Sequence, residues 1–213
     1  MKKMKINKKN KEETEFHFHS LLNTFKMNAE LNLRQVDRTI EDLEFFEKKI
    51  MVCGRGSPNH PIFYPRFSTP TTNLDSEVYV SVDHHNYLKE SIRRKGNYAL
   101  SIIVDPYVSK KISNIGGKIY WFSVENFENK IPKLLAGIFP NLNSGLAEIS
   151  LASYLGAEFV LLSGIKLSGK YKIYRGGMRI LNDYLVKHDT AIFSLDGILA
   201  KKIRFNDWLN ILK

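Results

Sequence analysis

Residues 143–165, with the sequence NSGLAEISLASYLGAEFVLLSGI, carry the pattern that decides the fold. Asn143 or Ser144 can cap a helix whose apolar residues recur at helical spacing, namely Leu146, Ile149, Ala152 and Leu155. The segment 158–162 that follows is largely a continuous apolar run, which is typical of a strand buried on both faces. A helix that leads directly into such a strand predicts a parallel α/β sheet.

The same alternation of apolar runs and helical segments extends over most of the chain. Strands are predicted at 50–53, 77–82, 98–104, 118–122, 158–162 and 190–195. Helices are predicted at 87–95, 107–115, 145–155 and 177–187, and the proline-rich segment 59–73 is predicted to be a long loop. This pattern indicates a Rossmann-like α/β fold with a mostly parallel sheet and helices on both faces. Its ligand site should lie at the carboxyl ends of the strands.

The amino-terminal region differs from this pattern. Residues 1–14 are polar and lysine-rich without periodicity, so we expect a disordered basic tail. Residues 15–48 contain two apolar stripes separated near 28–32, which predict an N-terminal appendage of two amphipathic helices before a Rossmann-like domain at 49–213. These helices either pair with a second copy of the chain, giving a homo-oligomer, or cover the same chain.

Charge and composition limit the classes of partner. The net charge is +10, and much of the excess comes from lysines near the amino terminus. Nucleic acid is an unlikely partner, because no strand combines basic and aromatic residues as RNA readers do. No apolar stretch approaches the roughly 20 residues that span a bilayer, so no membrane partner is expected. A lysine-rich start without a signal-peptide core, together with the single cysteine, Cys53, favours a soluble, cytoplasmic protein.

Two strand ends carry candidate site residues. The turn Gly54, Arg55, Gly56 and Ser57 follows the first strand, where glycines, free amides and a guanidinium can hold phosphate, although an ordinary tight turn explains it equally well. The second predicted strand ends in four polar residues: Asp83, His84, His85 and Asn86. Asp83 and His85 are candidate catalytic residues, and His84 and Asn86 are candidate ligand contacts.

Other candidates follow the remaining strands. Asp105 precedes Pro106 and either acts as a catalytic acid and Mg²⁺ ligand or caps a helix. Asn143, Ser144 and Gly145 open a helix whose amino terminus can hold an anion. The remaining ligand-binding candidates are Gly164, Lys166, Tyr174 and Arg175, of which the last two belong to a basic, aromatic flap.

The segment 145–165 resembles the helix–strand signature of the 6-hydroxymethylpterin diphosphokinase-like Rossmann family, which includes motility-associated glycosyltransferase-like proteins. The shared features are a Ser-Gly helix start, Leu-Gly-Ala, an apolar strand and Gly-Ile. The glycine-rich turn 54–58 and Asp105-Pro106 extend the resemblance, and bacterial sialyltransferases are more weakly similar. Lys166 departs from the pattern, because these families usually have an acid there, and their Asp-x-Asp motif is reduced to Asp105.

The resemblance implies a transferase that uses a nucleotide or nucleotide sugar and moves a diphosphoryl or glycosyl group to a small acceptor, with Mg²⁺ as the implied cofactor. The glycine-rich turn and the start of the 145–155 helix would hold the nucleotide. A non-catalytic module that binds a nucleotide or another small ligand is the alternative, consistent with Lys166 in place of the acid. Nucleic-acid binding through the lysine-rich tail and Arg93-Arg94-Lys95 is a third hypothesis.

Overall fold

The computed structural model describes residues 8–57, 65–72, 74–123, 143–165, 185–195 and 201–202. Within these ranges the chain forms one parallel sheet with the strand order β5-β4-β3-β2-β1-β6-β7-β8. The strands are β1 (Lys49–Cys53), β2 (Arg66–Ser68), β3 (Val78–Ser81), β4 (Asn97–Ser101), β5 (Lys118–Phe122), β6 (Phe159–Ser163), β7 (Ala191–Ser194) and β8 (Lys201–Lys202). The predicted Rossmann-like α/β architecture is confirmed.

The helices are α1 (Lys8–Leu33), α2 (Pro106–Asn114) and α3 (Ser144–Tyr154), with 3₁₀ helices at Ile40–Asp42 and Asn86–Ser91. The predictions at 107–115 and 145–155 therefore match α2 and α3. The segment 87–95 was expected to be a full helix, but only a 3₁₀ helix forms there. Of the helix predicted at 177–187, only residues 185–187 lie within the described ranges, and they are helical. None of the described helices is long and apolar enough to cross a membrane.

All six predicted strands are present, but two further strands were not predicted. β2 lies inside the segment 59–73 that the sequence indicated as a loop, and it pairs with β1 on one side and β3 on the other. Pro65 stands directly before it and donates no hydrogen bond, although its carbonyl accepts one from the amide of Met51. Three residues after a proline, like the two lysines of β8, are too short to show a strand pattern.

The amino-terminal region also differs from the prediction. α1 begins at Lys8, so residues 8–14 are helical and not disordered, whereas residues 1–7 lie outside the described ranges. The helix runs without interruption through 28–32, where the sequence predicted a break. In place of a second long helix, the chain forms only the 3₁₀ turn Ile40–Asp42, which Thr39 and Asp42 close with a capping box.

Two buried asparagines explain why α1 continues. The side-chain amide of Asn32 donates to the carbonyls of Ile102 at 2.8 Å and Val104 at 2.7 Å, and that of Asn28 donates to the carbonyl of Ile103 at 3.0 Å. Residues 102–104 were predicted to extend a strand, but they form a turn after β4 whose carbonyls need these donors. α1 therefore lies against the segment that leaves β4.

Alternate residues of β3 join different hydrophobic clusters. Val78 and Val80 pack in one cluster with residues of α3, and Tyr79 packs in another with residues of α1 and α2. Successive side chains of a strand project to opposite sides, so these clusters use different surfaces of β3. Every residue of α3 from 146 to 153 is buried, which means that the helix is enclosed on all sides.

Replacing Asn32 by alanine should lower the free energy of unfolding by about 2–4 kcal/mol, because two carbonyls of the 102–104 turn lose their donor. Asn23 is exposed on the same helix, so Asn23→Ala is the matched control and should be neutral or slightly stabilising. Urea unfolding of the two variants measures the difference. Equal stabilities would show that the asparagine bonds do not hold α1 in place.

Candidate functional site

The strand order reverses between β1 and β6. Strands β2 to β5 extend to one side of β1, and the chain then returns to place β6 on its other side. In open α/β sheets, ligands bind at the carboxyl ends of the strands on either side of such a reversal. Cys53 and Ser163, the last residues of β1 and β6, are partners in register. The turns that follow them border the expected crevice.

These two turns are joined by backbone hydrogen bonds. The amide of Gly54 donates to the carbonyl of Ser163 at 2.8 Å, and that of Gly56 donates to the carbonyl of Gly164 at 3.4 Å. The amide of Ser57 donates to the carbonyl of Gly54 at 2.9 Å. The sequence indicated free amides here, but these three are already engaged. Apart from the amide of Arg55, a phosphate bound at this turn would therefore need side chains, of which that of Arg55 is exposed.

The glycines allow the turns after β1 and β6 to pack closely against each other. A Cβ atom on Gly164 would lie 2.0 Å from the amide nitrogen of Ser57, and one on Gly54 would lie 2.4 Å from the carbonyl oxygen of Gly164. Gly164 also has a φ of +66°, which disfavours other residues. The Ser57 hydroxyl donates to that of Ser163 at 2.7 Å. Close approach of two turns, and not of a ligand, explains these glycines.

Asp83, His84 and His85 form a compact cluster at the carboxyl end of β3. Each offers one metal-ligating atom, and these atoms all lie within 4.8 Å of one another. The Asp83 carboxylate accepts from the amide of His85 at 3.1 Å, and the ring centroids of the two histidines are 3.9 Å apart. Phe25 of α1 meets the His84 ring edge-on at 4.8 Å. The local fold thus gathers one carboxylate and two imidazoles.

The start of α3 lies beside this cluster. The hydroxyl of Ser144 accepts from the amide of Val82, the residue before Asp83, at 3.4 Å. The Asn143 side chain caps the helix by accepting from the amide of Leu146 at 3.2 Å. A Cβ atom on Gly145 would contact the side chain of Ile165, so the helix start also touches the turn after β6. Contacts therefore connect the predicted residues after β1, β3 and β6 at one edge.

The other predicted site residues are placed differently. Asp105 accepts from the amide of Tyr107 at 2.8 Å and caps α2, which was the structural alternative that the sequence left open. Asn86 is exposed and begins a 3₁₀ helix. Three predicted ligand contacts lie outside the described residues: Lys166, Tyr174 and Arg175.

Sequence reasoning did not single out Glu148 as a site residue. This residue of α3 is fully buried, and neither carboxylate oxygen has a hydrogen-bond partner within the described part of the chain. Burial raises the pKa of Glu148 well above its usual value, which favours the neutral acid. A signal was available, because Glu148 is the only charged residue between 143 and 157.

Cys53 is not a candidate nucleophile. It is a buried free cysteine at the end of β1, and burial, the largest influence, raises the pKa of its thiol to about 11. Since the thiolate is the reactive form, the thiol is inert at neutral pH.

Together these features define an open parallel α/β protein with a cluster of metal-ligating side chains at the carboxyl edge of its sheet. Comparisons with models of protein families, with curated proteins and with solved structures give no match.

Gly164→Ala should lower the free energy of unfolding by about 3 kcal/mol or more, because it combines an unfavourable φ with a clash against the Ser57 backbone. Gly156 has a φ of +87° but nothing within 4 Å of an added Cβ atom. Gly156→Ala is therefore the matched control and should lose only about 1–2 kcal/mol. Thermal and urea unfolding measure both, and similar losses would contradict the tight contact of the two turns.

Glu148 should make the protein less stable as pH rises. Its folded-state pKa lies above that of the unfolded chain, so the folded state binds more protons between the two values. The free energy of unfolding then falls with increasing pH, by at most about 1.4 kcal/mol per pH unit for one proton. Urea unfolding between about pH 5 and about pH 7 should show this extra slope in the native chain and not in Glu148→Gln. Parallel pH profiles would refute it.

Proposed function

We propose that this chain is a metal-dependent transferase that binds a nucleotide or nucleotide sugar at the carboxyl edge of its sheet. It would move a diphosphoryl or glycosyl group to a small acceptor. The observation that carries the proposal is the cluster of Asp83, His84 and His85, whose ligating atoms lie within 4.8 Å of one another at that edge. The strand reversal between β1 and β6 supports a nucleotide at the same edge.

The ligand set indicates which ion fits. Mg²⁺, the cofactor expected from the sequence, prefers oxygen ligands, whereas imidazoles favour ions such as Mn²⁺ and Zn²⁺. One carboxylate and two imidazoles therefore fit Mn²⁺ or Zn²⁺ better than Mg²⁺. Bound there, such an ion would supply the positive charge that stabilises a departing phosphate.

The remaining roles follow from position. Arg55, exposed in the turn after β1, would contact donor phosphates through its guanidinium. Ser144 would hold the start of α3 against the metal-binding segment through its bond to Val82. We assign Asp105 to capping α2 and not to catalysis, because its carboxylate accepts from the Tyr107 amide. This leaves Asp83 and the two histidines as the residues that hold the ion.

His85→Ala should weaken Mn²⁺ binding by at least about tenfold, because it removes one ligand of the cluster. His188 lies ahead of β7, at the opposite end of the strands, so His188→Ala is a matched control and should bind Mn²⁺ like the native chain. Equilibrium dialysis measures the affinities, and circular dichroism checks that both variants fold. Equal Mn²⁺ affinities in all three proteins would refute the metal site.

The transfer reaction needs its own test. The Mn²⁺-loaded chain is incubated with nucleoside triphosphates or nucleotide sugars, each with small hydroxylated acceptors, and the products are separated by mass. Release of a nucleoside mono- or diphosphate together with a modified acceptor is the expected result. Nucleotides that bind and are recovered unchanged from every mixture would contradict the transferase and favour the non-catalytic binding module.

A further inference from the structure

A cavity of about 380 Å³ lies between the segment after β2 and the segment that leads into β4. Its lining residues combine hydroxyls, guanidinium groups and aromatic rings: Thr71, Thr72, Tyr79, Arg93, Arg94 and Tyr98. None of the three residues of the metal-binding cluster contributes to it. Arg93 and Arg94 precede β4 and Thr71 and Thr72 follow β2, whereas the metal-binding cluster follows β3.

The aromatic part of the cavity lining consists of two tyrosines, Tyr79 and Tyr98. Tyr79 and Tyr98 are partners in register on β3 and β4, and their ring centroids lie 5.0 Å apart with an interplanar angle of 27°. The hydroxyl of Tyr98 donates to the carbonyl of Arg94 at 2.6 Å, and that of Tyr79 donates to the carbonyl of Leu74 at 3.3 Å. Burial raises the pKa of Tyr98 to about 12, so the phenol stays neutral. The Tyr98 side chain therefore adds no negative charge to the cavity.

Two arginines in the cavity lining differ in the contacts of their guanidinium groups. Arg94 is fixed, because it donates to the carbonyl of Leu74 at 2.8 Å and forms an ion pair with Asp75 at 2.8 Å. Arg93 is exposed and donates to the carbonyl of Glu90 at 3.4 Å, but it forms no ion pair with any residue that the structure describes. The charge of Arg93 is thus not neutralised within this part of the chain. A guanidinium without an ion pair, such as that of Arg93, attracts anions.

The lining also contains two threonine hydroxyls that are held by hydrogen bonds. Thr71 shares a hydrogen bond of 2.7 Å with the hydroxyl of Thr69 and accepts from the guanidinium of Arg55 at 2.9 Å. Thr72 donates to the carbonyl of Thr69 at 2.9 Å. A third guanidinium therefore borders the cavity at this end. Because the Thr72 hydroxyl donates its one proton to Thr69, a phosphate would depend on the arginines and on Thr71.

We infer that this cavity binds a small organic phosphate, with the phosphate held by the guanidinium of Arg93. The volume of about 380 Å³ lies within the roughly 300–1,000 Å³ typical of small-molecule sites and exceeds what an inorganic phosphate fills. The organic part would occupy the rest of the cavity. This inference uses no metal ligand, although Arg55 borders this cavity as well as the proposed transferase site.

The test is isothermal titration of the full chain with adenosine monophosphate, inorganic phosphate and adenosine, in the presence of a chelator. We expect the monophosphate to bind more tightly than either fragment. Arg93→Ala should weaken it by at least about tenfold, since a charge-assisted contact is lost. Arg34, exposed just after α1, provides the matched control Arg34→Ala, which should leave the affinity unchanged.

Several results would overturn the inference. No binding of the monophosphate would exclude an organic-phosphate site, and equal binding of inorganic phosphate would show that the cavity does not hold the organic part. Unchanged affinity in Arg93→Ala would show that Arg93 does not bind the phosphate. Loss of binding in His85→Ala would place the nucleotide at the carboxyl edge instead, whereas unaffected binding in that variant supports the separate cavity.

Discussion

The contact between the turns after β1 and β6 is the constraint on which the rest of the site depends. Gly164 can take its positive φ and approach the Ser57 backbone only because it has no side chain. The two turns therefore lie against each other beyond the paired last residues of β1 and β6, where the strand order reverses. In this arrangement the amides of Gly54, Gly56 and Ser57 donate hydrogen bonds to backbone carbonyls of the two turns. The chemistry at this edge must therefore come mainly from side chains.

Helix α1 covers part of the same carboxyl edge of the sheet. Its residues Asn28 and Asn32 satisfy the carbonyls of the turn after β4, and Phe25 contacts His84. The rim near β4 is thus partly covered by the chain's own helix. The region that remains for a ligand lies around Asp83, where the start of α3 contacts the segment after β3 through Ser144.

The sequence predicts the strands well because buried parallel strands are continuous apolar runs, as in β5 and β6. It fails where tertiary contacts replace local preference. Asn28 and Asn32 favour a helix break by propensity, yet distant carbonyls hold them inside α1. β2 is too short to show a period. The sequence placed Asp83, His84 and His85 at a strand end, but only the coordinates show that all three ligating atoms converge.

The central claim is that these three side chains, and not the glycine-rich turn, create the reactive point of the edge. Anomalous diffraction from crystals grown with Mn²⁺ tests it most directly, because the metal is located without any assumption about substrate. The account predicts one peak within bonding distance of the Asp83 carboxylate and the His84 and His85 imidazoles. A Mn²⁺ peak bound elsewhere, with this cluster empty at saturating metal, would contradict it.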